Sequence, residues 1–307
     1  CIRDRDGDEV LTHTGAFRRV IQPLKRYHKG KLLVIKAYGT VPVKVTPEHM
    51  VWVVKQIKHE KQVIFKGPEW LTVQELKEKL ESETDPKVSY MLLQPVPEAY
   101  INLDKISLED YRDNTEKSPK YLPLNFETAR LIGLWIAKGS TSKNGVVTFT
   151  IERQMNGITS FLLKTIPSYF PHAKIAVEDH EGNGRTINFC SKHFAKWLRE
   201  KIGDEAHQRR IPEVLLFNES RDVRLGLLRG LIEGKENKKG TNYLRTASPS
   251  IAYQIQLLVA SLGYISFIDV APRRNGTGKT EIPIYTITIA DSSSSLLEEL
   301  GFKALPK

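Results

Sequence analysis

Two lysines occupy matching places in two similar segments. Lys138 follows Leu131-Ile132-Gly133-Leu134-Trp135-Ile136-Ala137, and Lys235 follows Leu228-Arg229-Gly230-Leu231-Ile232-Glu233-Gly234. The lysines are 97 positions apart, as are Gly133 and Gly230, and Ala137 and Gly234. A charged ammonium has three donors and no lone pair, so this pair attracts a phosphate and cannot hold Mg²⁺. Glu233 and Glu236 flank the second lysine, while no acid lies at 136–140. A second feature is a basic run. Between Glu9 and Glu48 stand Arg18, Arg19, Lys25, Arg26, Lys29, Lys31, Lys36 and Lys44, with no acid among them. Such a run suits a polyanion, duplex nucleic acid above all.

The elements that must hold these residues follow from periodicity. Val10 to Thr12, Leu32 to Lys36, Val41 to Val45, Met50 to Ile57 and Val63 to Phe65 read as short strands joined by turns. Residues 69–82 read as a helix, with Thr72 and Glu75 spaced as a capping box. Residues 83–124 are interrupted by five prolines and read as irregular, which puts a boundary near 120. Beyond it an internal repeat is expected. Each copy opens with a glycine-bearing helix. A β segment follows (Val146 to Ile151; Tyr243 to Thr246), then an amphipathic helix (Ile158 to Ile166; Ile251 to Leu262). A hairpin comes next, turning at Glu181–Gly184 or Asn275–Gly278, and a last helix stops at Gly203 or Gly301. Gly133 and Ala137, and likewise Gly230 and Gly234, share a helix face at i and i+4. Glycine inside a helix costs about 1 kcal/mol relative to alanine. Its repetition implies that two helix backbones approach closely, which brings positions 138 and 235 together.

Composition sets the remaining bounds. The 307 residues (34.9 kDa) are 40% hydrophobic and 27% charged, enough for a sizeable core. No run of about 18 apolar residues could span a membrane, and the charged start is unlike a secretory signal. Cys1 and Cys190 cannot build a disulfide framework or a four-thiolate zinc site. The expectation is an intracellular, cytoplasmic protein of prokaryotic type. The net charge is +10, with 25 basic against 18 acidic residues in 121–307 and 21 against 18 in 1–120.

Leu131–Gly139 and Leu228–Glu236 resemble the two motif helices of LAGLIDADG homing endonucleases. The resemblance covers about residues 121–307, with repeats 121–212 and 213–307. It implies a pseudo-dimeric saddle of two antiparallel sheets on double-stranded DNA, formed by a monomer. The family's motif acids bind the Mg²⁺ used in phosphodiester hydrolysis. With Lys138 and Lys235 in their places, no bound cofactor is expected. The resemblance further implies DNA contacts at Lys143, Arg153, Lys174, Arg185, Lys239, Arg245, Arg273, Arg274 and Lys279, with Arg18, Arg19, Lys25 and Arg26 assisting along the phosphates.

Residues 1–66 resemble part of the intein (Hint) fold, through Gly7-Asp8-Glu9-Val10 and the Thr46-x-x-His49 block. By position the resemblance assigns splicing roles to Cys1 as nucleophile, His49 as proton donor and Thr46 as its companion. The end, Lys303 to Lys307, lacks the His-Asn pair needed for asparagine cyclisation. The expected fold class is therefore α+β. A small all-β, partial Hint-like domain with linker (1–120) precedes a duplicated α-β-β-α-β-β-α saddle (121–307). The expected function is an intein-derived homing endonuclease-like DNA binder with cleavage lost or impaired. The alternatives are an active Mg²⁺-dependent endonuclease, or a splicing intein carrying a passenger nuclease domain.

Overall fold

The computed structural model describes residues 5–60, 62–111, 118–234, 243–272, 283–290, 294–300 and 302. It is a mixed α/β chain with several small antiparallel sheets, and it divides into two compact units, Cys1–Glu98 and Ala99–Lys307.

In the first unit, β1 (Glu9–Leu11) pairs with β2 (Phe17–Arg19), and β3 (Leu33–Ile35) pairs with β4 (Val43–Val45). A three-stranded sheet follows, with β5 (Met50–Lys58) between β6 (Val63–Thr72) and β7 (Val88–Leu92). Helix α1 (Val73–Ser82) leaves β6 directly. Its capping box forms as expected: Glu75 N–H donates to Thr72 Oγ1 at 3.1 Å, and Thr72 N–H donates to the Glu75 carboxylate at 2.7 Å. Residues 69–72 are strand, not helix, because Trp52 and Val51 of β5 claim Trp70 and Leu71 as register partners. Strand pairing there competes successfully with helix propensity. The sheet's core is small: Val53, Leu71 and Leu76, with Val51, Tyr90 and Leu92 against it.

The second unit opens with a ribbon of β8 (Lys105–Ser107) and β9 (Tyr121–Pro123), whose partners Ile106 and Leu122 are both buried. Proline-rich residues 83–124 thus contain β7, β8 and β9 rather than irregular chain, and the division between units falls at 98/99 rather than near 120. The prolines stand between these strands or, at Pro123, at a strand end, where no ladder N–H is lost.

Next come α2 (Phe126–Lys138), β10 (Gly139–Thr141), β11 (Val146–Glu152), α3 (Asn156–Tyr169), β12 (Ile175–Asp179), β13 (Gly184–Cys190) and α4 (Lys192–Lys201). The short α5 (Glu213–Leu216) leads to α6 (Arg221–Glu233). Then follow β14 (Tyr243–Thr246), α7 (Pro249–Ser261), β15 (Ser266–Pro272), β16 (Pro283–Ile289) and α8 (Ser294–Glu299). The strand orders are β10-β11-β13-β12 and β14-β16-β15. In both sheets the strand latest in sequence lies inside. Asn125 caps α2 by accepting from Thr128 N–H at 2.9 Å, and Ser248 caps α7 ahead of Pro249. Gly203, at φ +110°, follows α4 as anticipated; Gly301 and the Asn275–Gly278 turn lie outside the described residues.

The center of this unit is the α2–α6 pair. A Cβ at Gly226 would lie 2.2 Å from Phe126 O, one at Gly230 2.1 Å from Arg130 O, and one at Gly133 2.4 Å from Leu227 O. A Cβ at Gly234 would lie 2.4 Å from Ala137 Cβ. The contacts advance together along both chains, so the helices run parallel and their C-terminal ends meet. The expected close approach is present, and Gly226 extends the stripe by one turn.

Gly133→Ala and Gly230→Ala should each destabilize the protein by about 1–3 kcal/mol or more, because backbone atoms cannot yield as a side chain can. Gly157→Ala in α3, where an added Cβ meets nothing within 4 Å, should be neutral or stabilizing by up to about 1 kcal/mol. Urea unfolding midpoints of the three variants check this.

Candidate nucleic-acid interface

Both helices present their negative dipole ends at the same point, and cations gather there as that field favors. Lys138 is the last residue of α2 and half-buried. Its Cγ lies 3.5 Å from where a Cβ at Gly234 would stand. Lys235 and Glu236 lie outside the described residues. Arg209 is 7% exposed and closes the end of α2: it donates to Ile136 O at 2.9 Å and to Gly139 O at 2.7 Å. Its guanidinium lies 4.7 Å from the Trp135 ring centroid, and burial pulls it below its ordinary range. A cavity of about 60 Å³ adjoins it, lined also by Ala137, Leu231 and Arg245.

At the end of α6, the Glu233 side chain is 8% exposed and ties the pair together. Arg130 of α2 donates to it through Nε at 2.7 Å and Nη2 at 2.9 Å, and Arg229 through Nε at 2.6 Å. Arg130 also lies 3.8 Å from the Phe161 ring centroid. Glu233 is therefore a structural acid, already committed to two arginines and not a spare ligand beside Lys235. Among the described residues, no group of three or more His, Cys, Asp or Glu is placed to hold a metal ion.

Each helix of the pair is followed in sequence by one of the two sheets. In the first, Val147, Phe149, Ile151, Ile187 and Phe189 face the core, each no more than 4% exposed. The alternate positions Thr148, Thr150, Thr186 and Asn188 face the other way, joined by Ala176 and Glu178 of β12. In the second, Leu244, Tyr285, Ile287 and Ile289 face the core. Tyr243, Arg245, Thr286 and Thr288 stand opposite, with Arg245 5.1 Å from the Tyr243 ring. Each sheet thus has a buried apolar face and an open face of hydroxyls, amides and aromatic rings.

The cations anticipated from sequence fall in several places. Lys143 is exposed in the turn between β10 and β11, and Lys174 is exposed just before β12. Arg245 is on the open face of its sheet. Arg153 and Arg185 converge instead on Asp179: Arg185 chelates it at 2.7 and 3.1 Å, and Arg153 approaches to 3.4 Å and donates to His180 O. Arg185 is opposite Ile151 in the register, on the parity of the core face, at the hairpin end. Lys239, Arg273, Arg274 and Lys279 lie outside the described residues, as does Cys1. In the first unit, Arg18 and Arg19 are exposed on β2, and Lys25 and Arg26 are exposed in the segment before β3. Arg26, Thr46 and His49 border an open groove of about 560 Å³ with Tyr27, His28 and Glu48. His49 N–H donates to Thr46 O at 3.1 Å, closing the turn into β5. Sequence reasoning that counted only cations passed over Thr148, Thr150 and Asn188. The alternation Val147-Thr148-Phe149-Thr150-Ile151 already marks that face.

No known protein family matches the chain. A relative from Thermococcus kodakarensis, named ATP-dependent DNA helicase Hel308, is 60% identical over 328 residues, covering 97% of this chain and 29% of that protein. A protein of Methanocaldococcus jannaschii, named Uncharacterized protein MJ0043, is 23% identical over 322 residues, covering 91% of this chain and 37% of that one. The chain thus spans about a third of the length of these relatives. Among solved structures, mesophilic variants of the homing endonuclease I-DmoI align over 58% of this chain and 96% of theirs, at 13% identity and a TM-score of 0.44. Full-length DUF199/WhiA from Thermatoga maritima aligns over 64% and 60%, at 14% identity and a TM-score of 0.38.

The helicase relative overturns the expectation of an intein-derived LAGLIDADG homing endonuclease, and with it the active-nuclease and protein-splicing alternatives. The resemblance rested on short patterns that structure alone accounts for. The glycine motif satisfies close helix packing, and Thr46-x-x-His49 forms a turn. Among the described residues, no helix is long and apolar enough to cross a membrane.

Two outcomes test this geometry. Glu233→Gln should cost about 3 kcal/mol in urea unfolding, because two partly buried arginines lose their counter-charge. The hydrogen bond from Arg185 holds the Asp179 carboxyl below its usual range. The hairpin's stabilization is then complete above the ordinary aspartate range and fades as pH falls through the lowered value. Arg185→Gln should return the Asp179 titration, followed by carboxyl NMR shifts, toward about 3.9.

Proposed function

We propose that residues 99–307 form a duplicated DNA-binding module and that the chain is the DNA-engaging part of a helicase-related protein. The observation that carries this is the pair of sheets. Each is antiparallel, each follows one helix of the glycine-packed pair, and each holds its last strand inside. Each also leaves one face open with groups that bond bases and phosphates. The two halves are related by a pseudo-two-fold axis along the helix pair, and the sheets form a saddle over duplex DNA. Because one chain supplies both halves, the binding species is a monomer. The net charge of +10 supports a polyanionic partner, and so does the helicase name of the 60% identical relative. The proposal is confined to DNA binding and does not extend to unwinding.

Within it, Lys143, Lys174 and Arg245 contact phosphates or bases from the two sheets. Lys138 and Lys235 place positive charge between the halves, where a phosphodiester crosses the axis. Lys239, Arg273, Arg274 and Lys279 add to the contacts of the second half. Arg153 and Arg185 shape the first hairpin through Asp179 and offer phosphates the donors left over. Arg18, Arg19, Lys25 and Arg26 follow phosphates from the first unit. Binding needs no metal ion.

Fluorescence anisotropy with labeled duplex DNA in EDTA tests this. Affinity should fall steeply with salt, as counterions are released. The triple variant Lys143→Glu, Lys174→Glu and Arg245→Glu should weaken binding at least tenfold and flatten the salt slope by about one for each phosphate no longer neutralized. An unchanged slope would remove these residues from the interface. Sedimentation should show one chain per duplex.

A further inference from the structure

We infer that the transverse row Thr148–Asn188–Ala176, on the open face of the first sheet, reads an adenine with neighboring thymine methyl groups in the major groove. The inference rests on the DNA-binding reading above and gives it a base preference.

The three residues are register partners on adjacent strands: Thr148 of β11 faces Asn188 of β13, which faces Ala176 of β12. The row continues to Ser140 of β10, the register partner of Thr148, and so crosses four strands about 4.8 Å apart. The major groove of B-DNA is about 12 Å wide and admits a two-stranded β-ribbon, which β13 and one neighboring strand can supply. Asn188 is on an inner strand, between Thr148 and Ala176. Its amide offers a carbonyl acceptor and two N–H donors on one planar group, which matches the N6 donor and N7 acceptor of adenine. Among the described residues nothing bonds the Asn188 side chain, so the amide is available. The flanking side chains each bring a methyl group and suit the thymine C5-methyl.

The next row is Thr150–Thr186–Glu178, and the Thr186 hydroxyl already shares a hydrogen bond with His180 at 3.0 Å. No arginine or lysine is among the described open-face positions of β10–β13. Guanine is read most often by the paired donors of arginine or lysine, and this face lacks them. Lys143 and Lys174 stand at its margins, where they meet phosphates rather than base edges. The first half therefore prefers adenine over guanine at the position that Asn188 reads.

The test is selection of bound sequences from a random duplex pool by the full chain in EDTA, with wild type and Asn188→Ala in parallel. Thermal melts confirm that the variant folds. Wild type should enrich a site with one strongly preferred adenine. In Asn188→Ala one adenine preference should fall roughly tenfold while the other positions keep theirs. A probe that needs no variant is 7-deaza-adenine at that position, which removes N7 and should weaken wild-type binding several-fold. Identical preferences in both proteins, or indifference to 7-deaza-adenine at every adenine, would overturn the row and leave DNA binding standing. No salt-dependent duplex binding by wild type would overturn the row and the DNA-binding reading together.

Discussion

The distance between α2 and α6 constrains everything else in the second unit. Helix backbones approach this closely only where no Cβ intervenes, and Gly133, Gly226, Gly230 and Gly234 meet carbonyl oxygens or Ala137 where a Cβ would be. Glycines in two helices are intrinsically unfavorable. They are tolerated because the contact they allow sets the spacing of the sheets that follow each helix. The Glu233 carboxylate, gripped by Arg130 across the interface and Arg229 on its own helix, fixes the rotation of one helix against the other.

A consequence of parallel packing is electrostatic. Two helix dipoles end at one place, and each contributes partial negative charge there. Arg209 caps the free carbonyls of α2 from a buried position, and Lys138 occupies the last turn. The lysine is therefore well placed for local reasons alone. The glycine spacing that resembles a nuclease motif is likewise accounted for by close helix packing.

The open sheet faces gain their character from the same alternation that buries the opposite faces. In the middle of β11 and β13, Thr148, Thr150, Thr186 and Asn188 face outward between the buried Val147, Phe149, Ile151, Ile187 and Phe189. A polar face of this kind supplies hydrogen-bonding groups without the desolvation cost of buried charge. Cations stand at its edges, and two arginines are drawn away to Asp179.

Much of this was legible in the sequence. Residues 147–152 alternate apolar and polar, so the strand and both of its faces could be read directly. The glycine spacing announced a close helix contact, and Thr72 with Glu75 announced the start of α1. These features are local, set by side-chain periodicity and by hydrogen bonds three residues apart. Tertiary structure decided the rest. Whether Trp70 and Leu71 join a strand or a helix depended on β5, which lies well away in sequence. Among the prolines of 83–124, β7 depended on β5, and β8 and β9 depended on each other across the residues between them. That Arg185 grips Asp179, and that Glu233 is locked between two arginines, follow from hairpin geometry and helix rotation. No pattern along the chain carries those distances, because they exist only once the elements have packed.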